Sequence, residues 1–132
     1  MNYLLDTHAF IWAISEKSKL SQQVRLTLEN PANIIYISAV TFWEISLKFS
    51  IGKLNIDGIS PEALPELALQ LGFELLPLSA AEAANHHKLP LTKHKDPFDR
   101  MLIWQSISKK LIFISKDSRL ADYDFLGLKS LW

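Results

Sequence analysis

Tyr3-Leu4-Leu5-Asp6-Thr7-His8 opens the chain with an apolar run that stops on an aspartate, and Phe10, Ile11 and Ile14 follow at helical spacing over Thr7 to Ile14. A short apolar run ended this way reads as a strand buried on both faces of a parallel sheet. Ligands of open α/β sheets bind beyond the carboxyl ends of the strands, where Asp6 stands. The pattern returns near the other terminus, where Leu111-Ile112-Phe113-Ile114 leads to Ser115-Lys116-Asp117. Asp is also a common helix N-cap, so Asp6 taken singly has a purely structural reading.

Between these two stretches, strands and helices alternate. Ser21 to Glu29 reads as a helix with Pro31 beyond its end, and Ile34-Ile35-Tyr36-Ile37 as a second buried strand. Ser38 is placed to cap a helix over Ala39 to Phe49. Pro61 and Pro65 bracket the start of a helix ending at Gly72, a C-cap glycine. Phe73 to Leu78 is a weaker strand, interrupted by Glu74 and Pro77, and Ser79 caps a helix over Ala80 to His87. Asp96-Pro97 starts a helix that runs to about Lys109, and Lys129 to Trp132 adds a short edge strand. This alternation predicts a three-layer α/β/α domain with a parallel sheet of four to five strands, filling 1–132 as a single unit.

The chain has 132 residues, enough for one proper core, and 48% of them are hydrophobic, which excludes a disordered segment. Formal net charge is zero, so any nucleic-acid contact has to come from a local patch. Cysteine is absent, which excludes thiolate metal sites and cysteine nucleophiles. No apolar run is long enough to cross a bilayer, so the expectation is a soluble cytoplasmic protein without membrane contact.

Four carboxylates come from four places in this scheme: Asp6, Glu44, Asp99 and Asp117. On the Ala39–Phe49 helix, Glu44 falls inside a stripe with Val40, Trp43, Leu47 and Ile51, read as the core-facing side. A carboxylate there needs a partner, and the bland one is Lys48 one turn on. Asp99 shares a side with Leu102, Ile103 and Ser106, and it also suits the helix dipole. Asp96 is the N-cap, and Arg100 reads either as a phosphate contact or as a partner for Asp96. Such an acid cluster repels itself unless a cation sits in it. All-oxygen ligands favour Mg²⁺ or Mn²⁺.

The segments Leu4-Leu5-Asp6-Thr7-His8, Ser38 to Ile45, His94-Lys95-Asp96-Pro97-Phe98-Asp99-Arg100-Met101-Leu102 and Ile114-Ser115-Lys116-Asp117 together resemble a PIN-domain protein. More narrowly they resemble the VapC-type toxins of bacterial toxin–antitoxin pairs, over essentially the whole chain. The resemblance implies an endoribonuclease that uses Mg²⁺ or Mn²⁺ to hydrolyse RNA phosphodiester bonds. It puts Asp6, Glu44, Asp99 and Asp117 at the acidic positions, with Asp6 and Asp99 holding the main metal. Ser115 stands where many relatives have threonine. Ser118 and Arg119 follow Asp117 where some relatives carry a further acid. Thr7, Asp96, Arg100, Ser115, Lys116 and Arg119 are supporting or substrate-positioning candidates. The resemblance also implies homodimerisation, capture by a cognate antitoxin and larger toxin–antitoxin assemblies.

Remaining features are read from the residues alone. His86 and His87 are taken as surface histidines. Lys93, His94 and Lys95 form a basic loop, either simply solvated or, with Lys116 and Arg119, an RNA-phosphate patch at the rim of the site. A second apolar stripe, Phe42, Ile45 and Phe49, is expected to meet a partner chain. Two rival readings stand beside the nuclease. A response-regulator receiver needs an acid pair after the first strand and an Asp after the third, where this chain has only Asp6 and Pro77-Leu78-Ser79; Lys116 is its one supporting feature. A PIN-like fold used only as a binding module is opposed by the presence of all four acids.

Overall fold

The structure is a computed structural model describing residues 1–132. Strands β1 (Asn2–Leu5), β2 (Ile34–Ser38), β3 (Glu74–Leu76), β4 (Ile112–Ile114) and β5 (Lys129–Leu131) form one five-stranded sheet in the order β3-β2-β1-β4-β5. Every pairing is parallel. The helices are α1 (Thr7–Ser15), α2 (Gln22–Glu29), α3 (Ala39–Ser50), α4 (Leu64–Gln70), α5 (Ala80–Asn85) and α6 (Pro97–Lys109).

Side chains alternate across the strands with period two, so the sheet feeds two cores. Tyr3, Leu5, Ile35, Ile37 and Ile114 pack with Ala9, Phe10, Val24, Leu64 and Ala68 on one face. Leu4 and Phe113 pack with Val40, Leu102, Ile103, Leu120 and Tyr123 on the other. Burial on both faces is why these strands are apolar runs rather than alternating ones.

The expected caps form. Ser38 accepts from Val40 N–H, Asp96 accepts from Phe98 and Asp99 N–H, and Ser79 and Glu82 make a reciprocal capping box. Gly72 follows α4 with φ of 87°, a left-handed turn that glycine adopts without steric cost. Ser38 also donates to Gln105 Oε1 at 2.6 Å, which ties α6 to the end of β2. Ser106 is fully buried, consistent with a small residue letting α6 approach the sheet.

Some boundaries differ from expectation. The helix after Pro61 is split into a 3-10 turn, Pro61–Ala63, and α4. The third strand spans only Glu74–Leu76, because Pro77 has no N–H to continue a ladder. The helix after Ser79 ends at Asn85 and passes into a 3-10 turn, His86–Lys88. The stretch Ser118–Leu126 forms an unanticipated 3-10 segment that buries Leu120 and Tyr123.

The larger correction concerns α3. Its buried residues are Val40, Thr41, Glu44 and Ile45, whereas Trp43, Leu47 and Ile51 are exposed. The stripe of Trp43, Leu47 and Ile51 therefore faces solvent, and Ile45, expected on a partner surface, belongs to the core. Phe42 packs edge-on against Phe10, with ring centroids 5.7 Å apart, and only Phe49 of that second stripe is exposed. With apolar residues on both sides of α3, periodicity alone did not identify the side that meets the sheet.

Candidate functional site

The chain runs from β1 outward through β2 to β3, then returns to the far side of β1 for β4 and β5. The connections leaving β1 and β4 diverge, and a crevice opens at their carboxyl ends, where ligands of open α/β sheets bind. Leu5 pairs with Ile114, so the next residues, Asp6 and Ser115, sit side by side at this switch point. Asp6 N–H donates to Ile114 O at 3.0 Å, which continues the ladder one step into the site.

Asp6 caps a helix and also faces a cleft. One oxygen accepts from Ala9 N–H at 2.7 Å and caps α1, and the carboxylate lines an open cleft with Asp99, Asp117, His8, Trp12, Lys116, Ser118 and Arg119. The residue is 8% exposed, and burial pushes its pKa up to about 6 against hydrogen bonds from Ser115 and Ala9 that lower it. Asp99 reaches the same cleft from the first turn of α6. Its pKa is also raised, first by burial and next by the charge of Asp96, with Glu44 contributing in the same direction.

Asp117 is different. Arg119 grips it through Nε and Nη2 at 3.0 and 2.9 Å, and its pKa is lowered by that hydrogen bonding. Asp117 N–H in turn donates to Ser115 Oγ at 3.1 Å. Glu44 is likewise matched: it is buried, pairs with Lys48 as the bland reading anticipated, and accepts from Thr7 Oγ1 at 2.6 Å. Glu44 lines a neighbouring cleft with Thr7, Lys48 and Lys53. That cleft meets the first along His8 and Trp12. The structure thus gathers Asp6, Asp99 and Asp117 in one basin and sets Glu44 just behind it.

Two of the four acids are matched by a lysine or arginine, and two, Asp6 and Asp99, are not; Asp99 has instead an imidazole nitrogen, that of His94, at 3.2 Å. Paired hard oxygen donors held without a cation of their own suit a small divalent ion. The donor set therefore fits Mg²⁺ or Mn²⁺.

The supporting candidates sort by what they touch. Thr7 fixes Glu44, Asp96 caps α6, Lys116 is exposed at the rim, and Arg119 is committed to Asp117. Arg100 is neither a phosphate contact nor a partner of Asp96. It is buried, and its guanidinium donates to Leu89 O, Pro90 O and Tyr123 Oη at 3.1, 3.1 and 3.2 Å, with a longer contact to His94 O. Arg100→Met should therefore destabilise the fold by about 2 kcal/mol, because the substitution leaves buried acceptors without a donor. Denaturant melts read this directly, and an unchanged midpoint would contradict it.

His94 is the site residue that sequence reasoning misplaced. Read as part of a solvated or phosphate-binding loop, it is 1% exposed, with Nε2 3.2 Å from Asp99 Oδ2 and 3.4 Å from Asp117 Oδ2. Its flanking lysines are exposed, and that basic setting masked it. His87 is exposed as expected, but His86 is half-buried, with a pKa lowered by burial.

The PIN domain family profile matches residues 3–126. Solved structures superpose on the whole fold. A chain of VapBC2 from Rickettsia felis, bound to a DNA fragment from its promoter, gives a TM-score of 0.64 at 18% identity, covering 99% of this chain and 98% of that one. Chains of DNA-bound VapBC from Salmonella typhimurium and of VapBC-1 from nontypeable Haemophilus influenzae give 0.63 and 0.62 at 19% and 15% identity, each covering 99% of this chain and 97% of its own. Among curated proteins no sequence match is significant. A profile that spans nearly the whole chain, on a parallel sheet with acids at its switch point, establishes that this chain belongs to the PIN domain family.

Proposed function

We propose that the chain is the toxin of a VapBC-like toxin–antitoxin pair and acts as a Mg²⁺- or Mn²⁺-dependent endoribonuclease. PIN domains are in general nucleases that use a divalent metal. The observation that carries the finer reading is the pair Asp6 and Asp99 at the switch point, matched by no lysine or arginine, with Asp117 beside it and Glu44 behind. Asp6 and Asp99 would hold the main ion, and Asp117 and Glu44 complete the set. When bound, such an ion supplies a Lewis acid and lowers the pKa of water near the scissile phosphate.

The protein's own part is positioning and charge. Ser115 and Ala9 N–H orient Asp6, Thr7 and Lys48 hold Glu44, and Arg119 fixes Asp117. Lys116, exposed at the rim, offers the free cation for a backbone phosphate. His8 and Trp12 stand between the two clefts with ring centroids 5.8 Å apart. The receiver alternative fails on topology: that fold places its third strand next to the first, whereas β3 here is an edge strand.

An antitoxin partner is supported by the VapBC complexes that share this fold. The apolar surface available to it, or to a second copy in a homodimer, is the exposed side of α3. There Trp43, Leu47 and Ile51 continue into Phe98, whose ring meets Trp43 edge-on at 5.0 Å. No helix is long and apolar enough to cross a membrane, and a cytoplasmic setting belongs to the same proposal.

Purified chain freed of any partner should cut a structured RNA with Mn²⁺ or Mg²⁺ and stop when EDTA is added. Cleavage that persists in EDTA would overturn the metal mechanism. Binding of RNA without cleavage under all metals would favour a module that has kept the fold and lost the chemistry.

A further inference from the structure

His94 is anchored through its backbone and buried. Its backbone N–H donates to Thr92 Oγ1 at 3.1 Å, and Thr92 pairs with Tyr123 Oη at 2.9 Å. The ring lies against Tyr123, with centroids 6.3 Å apart. One ligand atom each from His94, Asp99 and Asp117 can be chosen so that all lie within 4.8 Å of one another. Two roles compete for Nε2. It is either a nitrogen ligand of the cation or an N–H donor to a carboxylate that holds it.

The other ring nitrogen decides. A ligating Nε2 uses its lone pair, so the ring proton must sit on Nδ1, and ligating histidines almost always give that proton to a carboxylate, carbonyl or water. His94 Nδ1 is buried and meets no hydrogen-bond partner in the protein. A proton there would be an orphaned buried donor, which native structures rarely tolerate. The proton belongs on Nε2, where Asp99 Oδ2 accepts it at 3.2 Å and Asp117 Oδ2 lies 3.4 Å away.

We infer that His94 is a positioning residue and not a metal ligand: its Nε2–H donates to Asp99, stands beside Asp117, and so sets the placement of Asp99 against Asp117 for the cation. This inference rests on the metal-centre reading above. Asp99 comes from the start of α6 and Asp117 from the turn after β4, and His94 is the side chain that reaches both. Arg119 holds both oxygens of Asp117, and His94 Nε2 approaches Oδ2, the oxygen that Arg119 Nη2 also holds. Hydrogen bonds of this kind, one shell out from the metal, typically govern affinity by about 10–100-fold.

The test uses Mn²⁺ and the intact chain. His94→Gln retains an amide donor close to the position of Nε2, whereas His94→Leu retains none. Mn²⁺ affinity is read from the electron paramagnetic resonance of free ion during titration, and nitrogen coordination from pulsed spectra of the bound ion. His94→Gln should bind within about threefold of the parent and His94→Leu about tenfold or more weaker. The parent's bound ion should show no directly bonded nitrogen. Directly bonded nitrogen in the parent, lost in both variants with equal weakening, would make His94 a ligand and overturn the proposal. So would a His94→Leu that binds as tightly as the parent. If His94→Leu does not fold, the parent spectrum and the glutamine variant still decide. A parent that binds no Mn²⁺ at all is a distinct result, because it removes the metal centre itself.

Discussion

Asp99→Asn should lower metal-dependent RNA cleavage by about a hundredfold to a thousandfold, equivalent to roughly 3–4 kcal/mol of transition-state stabilisation, while leaving the chain folded. The reason lies in which acids are free. Asp117 is gripped by Arg119 and Glu44 by Lys48, so the negative charge available to a cation comes chiefly from Asp6 and Asp99. Asn keeps the side-chain shape and removes one of those two charges. The helix itself loses little, because Asp96, not Asp99, caps α6. The substitution does remove a charge that suits the helix dipole, worth a few tenths of a kcal/mol. It also relieves crowding with Asp96 and Glu44, both of which raise the pKa of Asp99. In chelator at neutral pH the variant should therefore melt no lower than the parent. Cleavage rates and melting curves on one preparation check both halves. A lower melting point with cleavage intact would move Asp99 out of the site and restore its purely structural reading.

The sheet was legible because burial on both faces leaves an unmistakable mark. Apolar runs at Tyr3–Leu5, Ile34–Ile37 and Leu111–Ile114 each end on a polar residue that caps a helix or enters the site. Ser38, Ser79 and Asp96 announced helices through the same local chemistry that the structure shows. Those signals are local, and what was lost is long-range. The buried face of α3 depends on Ile45 meeting one core and Glu44 meeting Thr7, which periodicity cannot resolve when Trp43 and Leu47 are equally apolar. The burial of His94 depends on Arg100 reaching back to three carbonyls and on Tyr123, a residue far along the chain. Lys93-His94-Lys95 gives no hint of this, since its lysines stay in water. Among the acids, sequence placed all four near the same edge but not their division into two held by a lysine or arginine and two that are not. That division depends on Lys48, which helical spacing already offered as the partner of Glu44, and on Arg119, whose grip on Asp117 only the folded geometry displays.

Asp6→Asn should make the metal-free chain more stable at neutral pH and leave it unchanged in acid. Asp6 has a folded pKa of about 6 against an ordinary value of 3.8, raised chiefly by burial. Between those two values the folded state holds a proton that the unfolded chain has released. Stability therefore falls as pH rises through this window, the reverse of a salt-bridged aspartate. By neutral pH the cost of keeping Asp6 ionised in the fold reaches about 3 kcal/mol as an upper figure. Asn carries no charge and caps a helix about as well as Asp, so the hydrogen bond to Ala9 N–H survives in kind. In EDTA at about pH 7.5 the variant should melt higher than the parent, by roughly 10 °C if the whole term is recovered. Near pH 3.5 the two curves should converge, because both side chains are then neutral in the fold. Added Mn²⁺ should raise the parent's melting point and barely move the variant's. Binding to the folded state at about a hundred times the dissociation constant contributes roughly 2.7 kcal/mol. The parent with metal and the variant without it would then reach similar stability by different routes, one by compensating a buried charge and one by deleting it. If the variant melts lower than the parent at both pH values, Asp6 acts as a capping residue alone. If it melts higher but Mn²⁺ stabilises both proteins equally, the strain at Asp6 is real and the ion binds elsewhere.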